Sequence, residues 1–137
     1  VDQMGVFGFF KKRKSELSRE QKKWNKMWDL WAENRADTPY AEVMTYQSEV
    51  NNGGHDQYFL NVEQTGDLQA EISILENVLS EELRSNLLTA YDAYQMLADK
   101  ESDEEWEAIL ERCDDVFFKN EEEINRILKA YAAKIEL

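Results

Sequence analysis

The sequence predicts an all-α fold, a compact bundle of about six to seven helices. Three observations carry that prediction. Apolar residues recur every three to four positions along most of the chain, the spacing that lines one face of a helix. No segment shows the apolar–polar alternation of a half-buried strand. The interruptions fall at turn and cap residues, drawn from only five Gly, a single Pro and a few Ser, Thr, Asn and Asp. A chain of 137 residues is one domain with room for a substantial core. Residues 15–137 are read as that domain and residues 1–14 as an N-terminal arm, expected to be flexible.

The elements follow in order. Leu17, Trp24, Met27, Trp28 and Trp31 share one stripe, which predicts a first helix over residues 15–35. Thr38 is placed as the N-cap of the next, with Pro39 at its first helical position. That helix carries Tyr40, Val43, Met44 and Val50, and Gly53 ends it. A short helix then starts near Gly54 and runs through Gln57, Tyr58 and Leu60 to about Gln64. Gly66-Asp67 is a break, and Asp67 caps a helix with Ile72, Leu75 and Val78. Ser80 caps a longer one with Leu83, Leu87, Tyr91 and Tyr94. Ser102 and Glu105 form a capping-box pattern ahead of Trp106, Ile109, Leu110, Cys113 and Phe117. Asn120, followed by Glu121, Glu122 and Glu123, reads as the cap and acidic first turn of a last helix. Ile124, Ile127, Leu128, Tyr131 and Ile135 form its stripe, with Lys129 and Lys134 toward its far end.

Charge narrows the function classes. The net charge is −13, and it is divided unevenly. Residues 1–35 hold nine Lys/Arg against five Asp/Glu, and residues 36–137 hold seven against twenty-four. So acidic a body repels nucleic acid and membrane surfaces and attracts basic proteins. No apolar run approaches a membrane span, and Gly5 to Phe10 is too short for the core of a secretory signal. The chain opens on Val1, so Met4 is read as the natural start. A Met4-Gly5 start lacks the Ser or Thr of a myristoylation signal. With a lone cysteine, Cys113, and no export signal, the expected compartment is the cytoplasm. The segment Val6–Lys14, apolar and then basic, fits an interfacial membrane contact. The preferred reading is an arm docked on this domain or a neighbour.

The densest motif lies in the middle: Asn51-Asn52-Gly53-Gly54-His55-Asp56-Gln57-Tyr58-Phe59-Leu60, followed by Asn61. Paired glycines permit backbone conformations that side chains forbid, and amides stand on both sides of them. The pattern at Asn52, Gly53, Gly54, Gln57, Tyr58, Phe59 and Asn61 resembles the signature of a bacterial domain-of-unknown-function family. That family includes a DNA-mimic protein which binds a transcription regulator. The resemblance extends from about Thr38 to the C-terminus. It departs from the family pattern at His55, where a large apolar residue, usually Phe, is expected. The motif has two readings. As scaffold, Asn52 and Gln57 satisfy backbone groups at the helix–turn–helix junction while Tyr58 and Phe59 pack beneath. As a site, the amides and His55 line a pocket. The scaffold reading is preferred.

Chemistry is sparsely supported. One His and one Cys make nucleophilic catalysis improbable, and Cys113 sits within an apolar stripe. His55-Asp56 lacks the spacing of helix-borne metal sites, so neither metal nor cofactor is expected. A catalytic role is left open, with a non-enzyme preferred.

One acidic face stands out. Asp103, Glu107, Glu111, Asp114 and Asp115 recur every three to four residues, opposite Trp106 to Phe117. Carboxylates four residues apart rise about 6 Å along a helix. A ladder of that kind can engage Lys and Arg side chains shaped for phosphates. The expected function is therefore an acidic protein-binding module. By the resemblance, it is a DNA mimic that blocks the DNA-binding surface of a basic partner. A homodimer is compatible with the sequence. The alternative is a small-molecule-binding or enzymatic domain with its site at the Asn-Gly-Gly turn.

Overall fold

The longest helix organises the structure, a computed structural model that describes residues 17–98 and 103–137. Five helices are present among the described residues: α1 (Arg19–Ala32), α2 (Tyr40–Thr65), α3 (Leu68–Val78), α4 (Glu81–Ala98) and α5 (Glu104–Ala133). No strand occurs among them. Helix α5 packs against α1, α2 and α4, and α2 also packs against α3 and α4. The core lies between these surfaces. Met27, Tyr46, Tyr58, Phe59, Leu83, Leu87, Phe117, Ile124 and Leu128 are fully buried there. The N-terminal arm, including Val6–Lys14, and Ser102 lie outside the described residues.

The helix count is lower than six to seven because Asn120 starts no new helix and the segments on either side of Gly53-Gly54 run on as one kinked helix. Helix α5 runs unbroken for 30 residues. Leu110, Cys113, Phe117, Ile124, Leu128 and Tyr131 form one continuous buried stripe along it. Asn120 falls on that stripe. Its Nδ2 donates to the carbonyl of Val116 at 2.8 Å, one turn back, and to Glu82 Oε1 on α4 at 3.4 Å. An Asn followed by three Glu imitates a cap, but an unbroken phase of buried residues outweighs a local cap preference.

Other ends are capped as the sequence suggests. Ser18 accepts from Gln21 N and Asp67 from Ala70 N, at 3.0 and 3.1 Å. Ser80 accepts from Leu83 N at 3.3 Å, while its hydroxyl donates to Glu123 Oε2 at 2.6 Å. At α2 the expectation is corrected. Pro39, not Thr38, holds the N-cap position, and no side chain caps the helix there. The Thr38 hydroxyl instead donates to Glu42 Oε2 at 3.3 Å. At α5 the cap is Asp103, whose carboxylate accepts from Glu105 N at 3.0 Å.

Helix α2 is two helical segments joined by a kink. Gly53 (φ −157°, ψ 18°) and Gly54 (φ 80°, ψ −180°) leave helical geometry, and the chain resumes its helix at His55. The break predicted at the two glycines is therefore present as a bend within one long element.

Candidate functional site

The kink of α2 brings the motif residues against α5. A helix that restarts at His55 needs acceptors for its first N–H groups. Asp114 of α5 supplies one: its Oδ1 accepts from His55 N at 2.9 Å and from His55 Nδ1 at 2.7 Å. A carboxylate only accepts, so the imidazole carries its proton on Nδ1. Its Nε2 lies 2.6 Å from the Tyr46 hydroxyl and completes a second hydrogen bond on the other side of the ring. Tyr46 and His55 are wholly buried. Burial, reinforced by Cys113 and Asp114, pushes the Tyr46 hydroxyl well above the usual phenol range, so it stays a donor. Tyr46, Asp114 and the His55 ring thus form a hydrogen-bonded chain from core to surface. Phe117 packs edge-on against Tyr46 and His55, with ring centres 5.3 and 6.1 Å away.

Gly54 is required here on two counts. Its φ of +80° with extended ψ belongs to a region that side chains rarely enter. A Cβ on it would also lie 2.5 Å from Asp114 Oδ2. Gly53 has an extended φ open to any residue. It is needed for space, because a Cβ there would run into the Gln57 side chain.

The amides around the turn bind carboxylates more than backbone. Gln57 Nε2 and Asn61 Nδ2 both donate to Glu49 Oε2, at 2.9 and 2.7 Å, which ties the two segments of α2 together. Gln57 is therefore not the backbone ligand that the sequence suggested. Asn51 Nδ2 does reach backbone, at Gln47 O (3.0 Å), and also Glu121 Oε2 (2.7 Å). Gln47 Nε2 donates to the same Glu121 oxygen at 3.1 Å and to Asn125 Oδ1 at 2.8 Å. Asn52 is exposed. Tyr58 and Phe59 are fully buried, Tyr58 against Tyr46 and Phe59 against Tyr91 and Tyr94. The larger cavities lie elsewhere, lined by other residues.

The acids of α5 divide into two groups. Glu107, Glu111 and Asp115 are exposed and stand four residues apart. Asp103 is half-buried at the N-cap, and Asp114 turns inward to His55 with its side chain 25% exposed. The outer ladder thus has three carboxylates on one rigid helix, roughly 12 Å from end to end. Cys113 lies under it, buried, and burial with the neighbouring Asp114 raises its thiol to about 11. Among the described residues, no group of three or more His, Cys, Asp or Glu is placed to hold a metal ion. Nor is any described helix long and apolar enough to cross a membrane.

Sequence reasoning missed Tyr46, Glu49, Glu121 and Asn125 as partners of the motif. One signal was available. Gln57 and Asn61 are one turn apart on one face, so a single acceptor could serve both. Tyr46 and Glu49, one turn apart in the preceding segment, were the nearest polar groups able to meet the turn.

A family model described as DMP19-like protein matches residues 32–135. The chain belongs to the DMP19-like protein family. The match takes in the motif, its α5 partners and the acid ladder, and it leaves most of α1 outside. Comparisons with curated proteins and with solved structures give no match for this DMP19-like chain.

Proposed function

We propose that this chain is an acidic protein-binding module that acts as a DNA mimic. It occupies the DNA-binding surface of a basic partner, such as a transcription regulator, and competes with DNA for it. The observation that carries this reading is the ladder of Glu107, Glu111 and Asp115, exposed on one straight face of α5. Its spacing of about 6 Å is close to the rise across two phosphates of one DNA strand, about 7 Å. Membership of the DMP19-like family, a family of DNA mimics, supports the same reading, as does the net charge of −13.

The mechanism needs only complementary charge on a rigid support. The network that locks α5 to the kink of α2 holds the ladder straight. Packing of Phe117, Ile124 and Leu128 beneath it resists bending. Carboxylates then stand where a basic groove expects phosphates, and long-range attraction speeds encounter.

The test combines capture and competition. The chain is used to capture proteins from its native cell extract at low and high salt. The bound protein should be a DNA-binding protein, should release as salt rises, and should be displaced by its own duplex. The variant Glu107→Gln/Glu111→Gln/Asp115→Asn should keep its fold and bind with flattened salt dependence, at about tenfold or more lower affinity. Equal binding by the variant at every salt concentration would remove α5 from the interface.

A further inference from the structure

The outward face of α5 carries one aromatic ring among its acids. Phe118 is 47% exposed, and it is the one exposed aromatic among the described residues; the other large hydrophobics at the surface are leucines. It lies three residues beyond Asp115, and Glu122 follows four residues later, so helical phase puts all three on one stripe. Asp115 and Glu122 are exposed. The acids on the inner flank of that stripe are already engaged. Asp114 accepts from His55, and Glu121 accepts from Gln47 and Asn51. The outer acids are not: among the described residues, no Lys or Arg forms an ion pair with Glu111, Asp115 or Glu122.

The ring is held in place from beneath. Phe117 is fully buried and meets Phe118 edge-on, with ring centres 5.4 Å apart. Both stand on the same unbroken helix. A partner that covers this face has to suit the ring and the acids together. A purely apolar socket over Phe118 would strip water from Asp115 and Glu122 and give nothing back, which is costly for charged groups. A lysine ammonium pairs with carboxylates, but it is strongly hydrated and offers no flat surface. A guanidinium suits both. It is weakly hydrated, and its planar face stacks on an aromatic ring at up to about 6 Å. Its N–H edges can reach a carboxylate one turn to either side, since side chains three or four residues apart on a helix stand about 5–6 Å apart at Cβ.

We propose that Phe118 is the anchor on which an arginine of the basic partner stacks, with Asp115 and Glu122 holding the edges of its guanidinium. This rests on the reading of α5 as the partner-binding face and adds the partner's chemistry: arginine, rather than positive charge alone. The carboxylates attract and orient any basic surface. The ring discriminates between cations of equal charge.

The experiment measures the fluorescence anisotropy of a labelled arginine octapeptide and a labelled lysine octapeptide against the full chain over a range of salt. Wild type should bind both, the arginine peptide more tightly, and both should release as salt rises. Phe118→Leu keeps an apolar side chain at a half-exposed position but removes the ring face. It should weaken the arginine peptide about two- to fivefold and leave the lysine peptide nearly unchanged. Its salt slope should match wild type, because no charge is lost. Phe118→Tyr keeps the ring and should bind as wild type does. Circular dichroism and thermal melts check that both variants are folded. The proposal is overturned if Phe118→Leu binds the arginine peptide like wild type, or if it weakens both peptides equally. Salt-dependent binding that is still weakened by Glu107→Gln/Glu111→Gln/Asp115→Asn would then leave the ladder standing and remove only the ring. Absence of salt-dependent binding by wild type would overturn both readings.

Discussion

At the scale of single residues, the two glycines of the kink are not equivalent. Gly54 combines a positive φ with extended ψ, a conformation that costs of order 1–3 kcal/mol for other residues. A methyl group there also displaces Asp114 from the two hydrogen bonds it makes to His55. Gly54→Ala should therefore lower stability by about 3 kcal/mol or more. Gly53 has an ordinary extended φ, and the obstacle to a side chain is Gln57, whose amide would have to turn away and whose Cβ would lie 2.9 Å from the new methyl. Gly53→Ala should cost about 1 kcal/mol, chiefly through the lost Gln57–Glu49 contact. Urea unfolding of both variants checks the order, and a Gly53→Ala cost equal to that of Gly54→Ala would refute this account. The need for glycine was legible in the sequence. The reason was not, because Asp114 lies 59 positions further along the chain. A capping acid on a neighbouring helix leaves no local pattern, and by sequence spacing alone Asp114 belonged with the acids of the ladder.

At the scale of elements, helix positions were readable wherever a cap and a stripe agreed. Ser80, Asp67 and the breaks at Gly53-Gly54 and Gly66 all mark places where an apolar phase begins or stops. Asn120 shows the opposite case, a cap-like residue inside a stripe that never stops. The two assignments predict different energetics. An N-cap Asn replaced by Ala loses about 1 kcal/mol. A mid-helix Asn replaced by Ala gains up to about 0.5 kcal/mol in helix propensity, set against its bonds to Val116 O and Glu82. Asn120→Ala should accordingly melt within a degree or two of wild type, or slightly above it. A drop of several degrees would mean that the chain does depend on a cap at this position. Long-range contacts fix the ends of α5 as firmly as its own sequence does. Lys23 of α1 donates to the carbonyl of Ala133 at 2.9 Å, placing a cation at the helix C-terminus, where the dipole favours it.

At the scale of the whole molecule, acidity was legible as a total but not in its arrangement. Composition shows the excess of acids, and helical phase places Glu107, Glu111 and Asp115 outside. Nothing in the sequence pairs Glu42 with Glu71, since they lie on different helices and meet only because α3 folds back on α2. That meeting sets a pH dependence for the fold. The Glu71 carboxyl titrates near 7 in the folded chain, against an ordinary value of 4.5. A raised acid pKa means that the folded state holds the proton more tightly than the unfolded state. The resulting stabilisation is fully present below about pH 4.5 and is lost as pH rises through about 7. Above that, a carboxylate sits half-buried beside Glu42. Glu71→Gln keeps a neutral side chain there at every pH. After allowance for solvent screening of a partly exposed group, the variant should exceed wild type by about 1–2 kcal/mol at about pH 8. At about pH 4, below both values, the two should nearly coincide. Thermal melts of both proteins across that range measure the difference. If the gap between them does not widen with pH, Glu71 ionises as freely in the fold as in water, and the carboxylate pair costs nothing.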